Sequence, residues 1–228
     1  MSDVAAKSLH DLHFPNEDRT YRQARDELLR AEAELRRQIE RVAAQRRALP
    51  PGGVVPEDYV FEEGEEARPV RLSELFGDKE TLVLYSFMYG PAMERPCPLC
   101  SSMLDGLDGQ VQPITQRVAL AVAARSPIAR IRAAGAERGW RRLRLISSAN
   151  NNYHRDYLGE SPTGDQWPML NVFNRRGGEI RHAWASELFF APAEPGQDPR
   201  HIDMIWPLWS VLDLTAGGRG DWRPPLDY

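Results

Sequence analysis

Two cysteines, the only ones in the chain, stand three residues apart at Cys97-Pro98-Leu99-Cys100. The run Thr81-Leu82-Val83-Leu84-Tyr85-Ser86-Phe87-Met88 before them is apolar and rich in β-formers. Met103, Leu104 and Leu107 follow at helical spacing. A strand, a loop, a CxxC and a helix in that order make two thiols a redox pair rather than inert packing. With Cys97 at the helix N-cap, Pro98 falls on the first helical position, where its missing N–H has no partner to lose. Positions i and i+3 of a first turn bring Cα atoms within about 5–6 Å, which a disulfide allows. The Cys97 sulfur then faces unpaired amides and the positive end of the helix dipole, which favour thiolate over thiol. Cys100, one turn deeper, is placed to attack back. Arg95 is a candidate source of further positive charge, with Glu94 opposing it.

Three other readings of the pair stay open. A structural disulfide closing so short a ring constrains little unfolded-chain entropy. Half of a zinc site needs further ligands, and no second CxxC accompanies His10, His13, His154, His182 and His201. An inactive relic of a redox site is the third.

The remaining composition narrows the class. At 228 residues the chain suits one sizeable domain with extensions, and 42% hydrophobic residues suffice for a core. A net charge of −4 gives no electrostatic case for nucleic acid. No apolar run is long enough to span a bilayer. Residues 1–15 lack the basic start and apolar core of a secretory signal. These points set the expectation of a cytoplasmic protein with no membrane partner, in which two cysteines are catalytic or metal-binding before they are structural.

Along the chain, a long helix opens the sequence, with Asn16 as the expected cap and a heptad-like stripe of Tyr21, Ala24, Leu28, Ala31, Leu35, Val42 and Leu49. Pro50-Pro51-Gly52-Gly53 ends it. Such a stripe suits packing across its own domain or pairing with a second copy in a homodimer. Residues 1–53 are therefore read as a helical arm and 54–228 as the main domain, with a C-terminal extension over about 187–228. Within that domain, Tyr59-Val60-Phe61 and Val70-Arg71-Leu72 predict a hairpin, followed by a short turn capped by Ser73. Strands are predicted over 81–88, 118–124 and 143–146, with helices from Cys97 to Leu107 and from Pro127 to Gly139. That alternation points to a parallel sheet. A glycine-turned hairpin over 169–184 and a tail helix carrying Ile202, Ile205, Trp206 and Trp209 complete the reading.

A CxxC after the first central strand, then βα units, then a proline opening a glycine-turned hairpin resembles the thioredoxin fold, an α/β architecture with a central mixed sheet flanked by helices. The resemblance places Pro168, in Gln166-Trp167-Pro168-Met169-Leu170, at the position of the cis-proline that lies against the CxxC. Phe87-Met88-Tyr89-Gly90-Pro91 leading to Arg95-Pro96-Cys97-Pro98-Leu99-Cys100 is similar to a bacterial domain-of-unknown-function family whose members are described as thioredoxin-like, predicted dithiol–disulfide isomerases or oxidoreductases. Ala123-Ala124-Arg125-Ser126-Pro127-Ile128, Pro195-Gly196-Gln197-Asp198-Pro199-Arg200-His201 and the ending Gly220-Asp221-Trp222-Arg223-Pro224-Pro225-Leu226-Asp227-Tyr228 fit as well. The resemblance implies a catalytic set of Cys97, Cys100 and Pro168, with no cofactor and no metal. It also implies a disulfide-containing protein or small-thiol substrate and an electron donor.

The chain departs from thioredoxins in three respects. The loop of residues 88–96 is long, Pro96 replaces the aromatic that usually precedes the first cysteine, and Tyr85 stands near the usual buried acid. A tyrosine with a pKa near 10 is a poor base, so Asp105, Glu94 or water are the expected proton acceptors for Cys100. Glu94 stands where peroxiredoxins carry a threonine, which argues against peroxidase activity. Tyr89 and Met93 in the long loop, and Trp167 beside the proline, are candidate substrate contacts. His182, Trp184, Arg200, His201, Asp203, Trp206 and Trp209 form a second dense set, read either as a ligand pocket beside the CxxC or as packing for the tail. A non-enzymatic redox sensor and a small-ligand binding module are the functional alternatives.

Overall fold

The computed structural model describes residues 8–195 and 200–228. It divides into two compact units at the Pro50–Pro51 junction.

The first unit is built on α1 (Arg19–Arg47), none of whose residues is buried. Asp18 caps it, its carboxylate accepting the Tyr21 N–H at 2.7 Å. The expected cap, Asn16, is displaced from that role because its backbone is left-handed (φ +60°), whereas a cap residue is extended. Asp18, at φ −85° and ψ 171°, meets that requirement.

The second unit carries β1 (Val60–Glu63), β2 (Arg68–Arg71), α2 (Leu72–Leu75), β3 (Thr81–Ser86), α3 (Pro98–Asp108), α4 (Val111–Thr115), β4 (Ala119–Ala124), α5 (Ile128–Glu137), β5 (Leu145–Ser147), α6 (Tyr153–Asp156), β6 (Leu170–Arg176), β7 (Glu179–Ala185) and α7 (Pro207–Leu212). One seven-stranded sheet runs β2-β1-β5-β4-β3-β6-β7. The strands β3, β4 and β5 are parallel, while β1, β2, β6 and β7 join by antiparallel pairing. This is the mixed sheet of a thioredoxin-like fold, with the CxxC strand β3 held centrally between β4 and β6.

Strand periodicity sorts the core. Leu82 and Leu84 of β3 and Ala121 and Ala123 of β4 face one side, with Phe61, Leu72, Leu75 and Tyr153. Tyr85, Leu120 and Val122 face the other, with Met103, Leu104, Ile131, Trp206 and Trp209. A period of two thus buries both faces of the central strands, as their near-continuous apolar runs require. It also puts Tyr85 on the face where α3 begins.

Several local expectations change in detail. Ser73 lies inside α2 rather than before it; its N–H and hydroxyl both donate to the Asp58 carboxylate, at 2.8 and 2.7 Å. Gly177 and Gly178 both have positive φ (58° and 84°), the geometry a two-residue hairpin turn needs between β6 and β7. The tail is not one helix. It breaks into a short 3-10 turn, Asp203–Ile205, and α7, because Pro207 disfavours a helical conformation at Trp206, which sits at ψ 91°. Residues Gly196 to Pro199 of the proline-rich loop lie outside the described residues.

Candidate functional site

The site is assembled where β3 ends. The loop of residues 88–96 leaves the sheet and returns so that the Cys97 N–H donates to the Met88 carbonyl at 3.0 Å. Arg130 of α5 staples this loop, its guanidinium donating to the carbonyls of Pro91, Met93 and Glu94 and lying over the Tyr89 ring at 4.7 Å. Ser126 adds two more ties, through its N–H to Tyr89 and its hydroxyl to Gly90.

Cys97 is the N-cap of α3 and Pro98 its first residue, the arrangement the spacing predicts. Both cysteines are free thiols; Cys97 is partly exposed and Cys100 is 3% exposed. Their acidities are pushed apart. A hydrogen bond from the Cys100 thiol, opposed by burial and helped by the backbone N–H groups of Cys100 and Leu99, lowers the Cys97 pKa to about 6. Burial, then the neighbouring Cys97 sulfur, holds the Cys100 thiol well above its ordinary value. No side-chain cation figures in this. Arg95 turns away to pair with Asp227 at 2.8 Å.

Tyr85 is fully buried beneath the pair. Its hydroxyl has no nitrogen or oxygen partner among the described residues, and its polar neighbours are the sulfurs of Cys100 and Cys97. Burial first, then those sulfurs, keeps the phenol well above 10, so it stays a neutral donor. Asp105 is taken up elsewhere: it receives Arg138, Tyr228 and the Trp140 Nε1–H, the last at 2.7 Å.

Pro168 stands two residues ahead of β6. No cis peptide bond occurs among the described residues, so Pro168 is trans where a cis bond was expected. The chain turns here by another route. The Met169 N–H donates to the Trp167 carbonyl at 3.0 Å, closing a three-residue turn centred on proline, whose fixed φ suits that geometry.

A cavity of about 420 Å³ opens over the thiols. Cys97, Cys100, Tyr85, Met88, Leu99 and Pro168 form its floor, and the tail supplies the rest through His201, Ile202, Trp206 and Trp209, with Arg200, Asp203, Arg219 and Arg223 at its polar part. Five residues of the polar–aromatic set singled out in the sequence thus meet the CxxC. His182 and Trp184 do not; His182 pairs through Nε2 with Asn171 at 2.9 Å. The remaining candidate contacts also sit off the cavity wall. Tyr89 is held by Arg130, the Met93 sulfur accepts the Gly90 N–H at 3.2 Å, and Trp167 packs edge-on against Phe190. Phe189 and Arg219 also line the cavity, and nothing local in the sequence links them to residue 97. Among the described residues, no group of three or more His, Cys, Asp or Glu is placed to hold a metal ion.

A helix-capping thiol, a buried partner one turn on and a mixed sheet of this order define a thioredoxin-like fold. The chain itself belongs to the family described as bacterial protein of unknown function (DUF899), which it matches over residues 12–227. No curated protein matches it. Among solved structures it is similar to peroxiredoxin Q of Xanthomonas campestris, at 11% identity and TM-score 0.47, covering 70% of this chain and 96% of the other. Thioredoxin peroxidase I of Plasmodium yoelii gives 16% identity and TM-score 0.45, covering 77% and 100%. The exposed lipoprotein thioredoxin of Streptococcus pneumoniae gives 12% identity and TM-score 0.42, covering 65% and 97%. No helix among the described residues is long and apolar enough to cross a membrane.

Proposed function

We propose that this protein is a thiol–disulfide oxidoreductase or isomerase working in the cytoplasm. The observation that carries the reading is the placement of the two thiols: Cys97 caps α3 and is partly exposed, Cys100 lies buried one turn on, and both line the cavity, an arrangement that lowers the pKa of the first and raises that of the second. The Cys97 thiolate attacks one sulfur of a substrate disulfide, forms a mixed disulfide and expels the other sulfur as thiolate. Cys100 then passes its proton to water and attacks the Cys97 sulfur, releasing the second substrate thiolate and leaving Cys97–Cys100 oxidised. Two electrons pass from the dithiol to the substrate, and an external dithiol donor restores the pair. Tyr85 donates a hydrogen bond to the Cys100 sulfur as its charge develops, and Pro168 lines the same cavity as the attacking sulfur.

A Cys100→Ser variant tests the sequence of steps. It should accumulate a covalent mixed disulfide on Cys97, read by intact mass, while the wild-type protein turns over in the presence of a dithiol. A Cys100→Ser protein that forms no adduct, beside a wild type without turnover, refutes the reading.

A further inference from the structure

A peptide that carries its disulfide to a redox pair docks by main-chain hydrogen bonds to an exposed backbone edge. In this chain the segment from Trp167 to Met169 brings Pro168 into the cavity lined by the thiols, and its backbone polar groups are already occupied. The Pro168 carbonyl accepts the His201 Nε2–H at 2.8 Å. The Trp167 N–H donates to Gly159 at 2.9 Å, the Trp167 carbonyl accepts Met169, and the Met169 carbonyl accepts the Ser86 N–H at 2.7 Å. His201 of the tail, Gly159, Ser86 and the segment's own turn together occupy the groups a peptide would need.

What remains open is the cavity. Its 420 Å³ falls within the roughly 300–1,000 Å³ of small-molecule sites. Phe189, Trp206 and Trp209 give it ring-bearing walls. Arg200 and Arg219 in its polar part are both bound to Asp203 and Asp213, two cations against two carboxylates, and the Arg223 guanidinium lies over the Trp209 ring. Trp206 is 7% exposed, and its Nε1–H has no partner among the described residues. A buried donor left unpaired is costly, and a ligand acceptor satisfies it.

We infer that the substrate is a small, uncharged, ring-bearing organic disulfide, seated between Trp206 and the thiols with an acceptor atom on the Trp206 Nε1–H, and not a polypeptide. This rests on the exchange chemistry proposed above and specifies its substrate. The disulfide R–S–S–R takes two electrons from the Cys97 thiolate and the Cys100 thiol, which close their own disulfide, and the two R–S⁻ leave as R–SH with the Cys100 proton and one from water.

The test compares three disulfides: dithiodipyridine, which is uncharged with ring acceptors; dithiobis(nitrobenzoate), which is doubly anionic; and insulin. Each is mixed with reduced protein in single turnover, and each rate is divided by that of the same disulfide with free dithiothreitol at equal thiolate. The normalised rate should be highest for dithiodipyridine, at least about tenfold above insulin, and should saturate with concentration. Calorimetry on the Cys97→Ser, Cys100→Ser protein should show one-to-one binding of dithiodipyridine, weakened about fivefold or more by Trp206→Phe, as loss of one hydrogen bond requires. His201→Ala, which frees the Pro168 carbonyl, should raise the insulin rate, a gain that misfolding does not produce. Insulin matching or exceeding dithiodipyridine, or absence of saturable binding, overturns the small-substrate assignment and leaves the exchange chemistry standing. If none of the three oxidises the cysteine pair, the exchange reading itself falls, and this inference with it.

Discussion

Replacing Cys100 by alanine removes the thiol whose hydrogen bond is the largest influence lowering the Cys97 pKa from 9.0 to about 6. At pH 7 a thiol of pKa 6 is about 90% ionised and one of pKa 9 about 1%, a gain of roughly 90-fold in thiolate. The anion so favoured is also a weaker nucleophile. With a Brønsted slope of about 0.4–0.5, three units of pKa cost roughly 15- to 30-fold in intrinsic reactivity. The net advantage at pH 7 is only about three- to sixfold, so a single rate at neutral pH is a poor readout. The titration midpoint is a good one. In Cys100→Ala the midpoint of thiolate absorbance, and of the pH dependence of alkylation, should rise by at least about one unit, or about 1.4 kcal/mol. Thiolate at pH 6 then falls from about half to about a tenth. Wild-type Cys100, buried and held high, does not contribute near that midpoint. A midpoint that stays put in Cys100→Ala would refute the reasoning, since it would leave the amides of Leu99 and Cys100 holding the anion unaided.

Other perturbations have definite outcomes. Tyr85→Phe removes the hydroxyl facing Cys100; mixed disulfide should persist about tenfold longer in a quenched-flow assay, while the alkylation rate of Cys97 is unchanged. Asp108 accepts the N–H groups of Arg141, Arg142 and Leu143 on one oxygen at 3.1, 2.8 and 3.0 Å, tying the end of α3 to the approach to β5. Asp108→Ala should cost about 2–4 kcal/mol, seen as a Tm lowered by roughly 5–15 °C in calorimetry. Burial, then the Arg125 charge, lowers the His154 pKa from 6.5 to about 3. The unfolded chain binds a proton there between those values and the folded one does not, so stability should fall as pH drops from 6.5 toward 3. His154→Gln should flatten that part of the denaturant midpoint–pH curve; an unchanged slope would rule His154 out as its source.

The parts of this molecule legible in its sequence are those set by neighbours in the chain. Cys97 at the cap and Pro98 at the first helical position follow from local backbone rules, and the double glycine at 177–178 fixes its turn in the same way. Gly139, at φ +74° just past α5, is equally local. What escaped was set at long range. The bond from His201 to the Pro168 carbonyl spans 33 positions, and no periodicity marks it. The same holds for Arg95, drawn off by Asp227 across 132 positions rather than left beside the thiolate. The cis form expected at Pro168 rested on resemblance, and the turn closed by Met169 serves in its place. Trp206 and Pro207 carry a local signal as well: a proline inside an apolar helical stripe breaks it.

The most direct test of the central claim is a redox titration of the whole chain in glutathione buffers, with alkylation and mass analysis of the peptide carrying both cysteines. The account predicts a Cys97–Cys100 disulfide that forms and reverses within or close to the cytosolic range of about −220 to −320 mV. Cysteines that stay reduced across that range, or a disulfide that no glutathione buffer reverses, would contradict it.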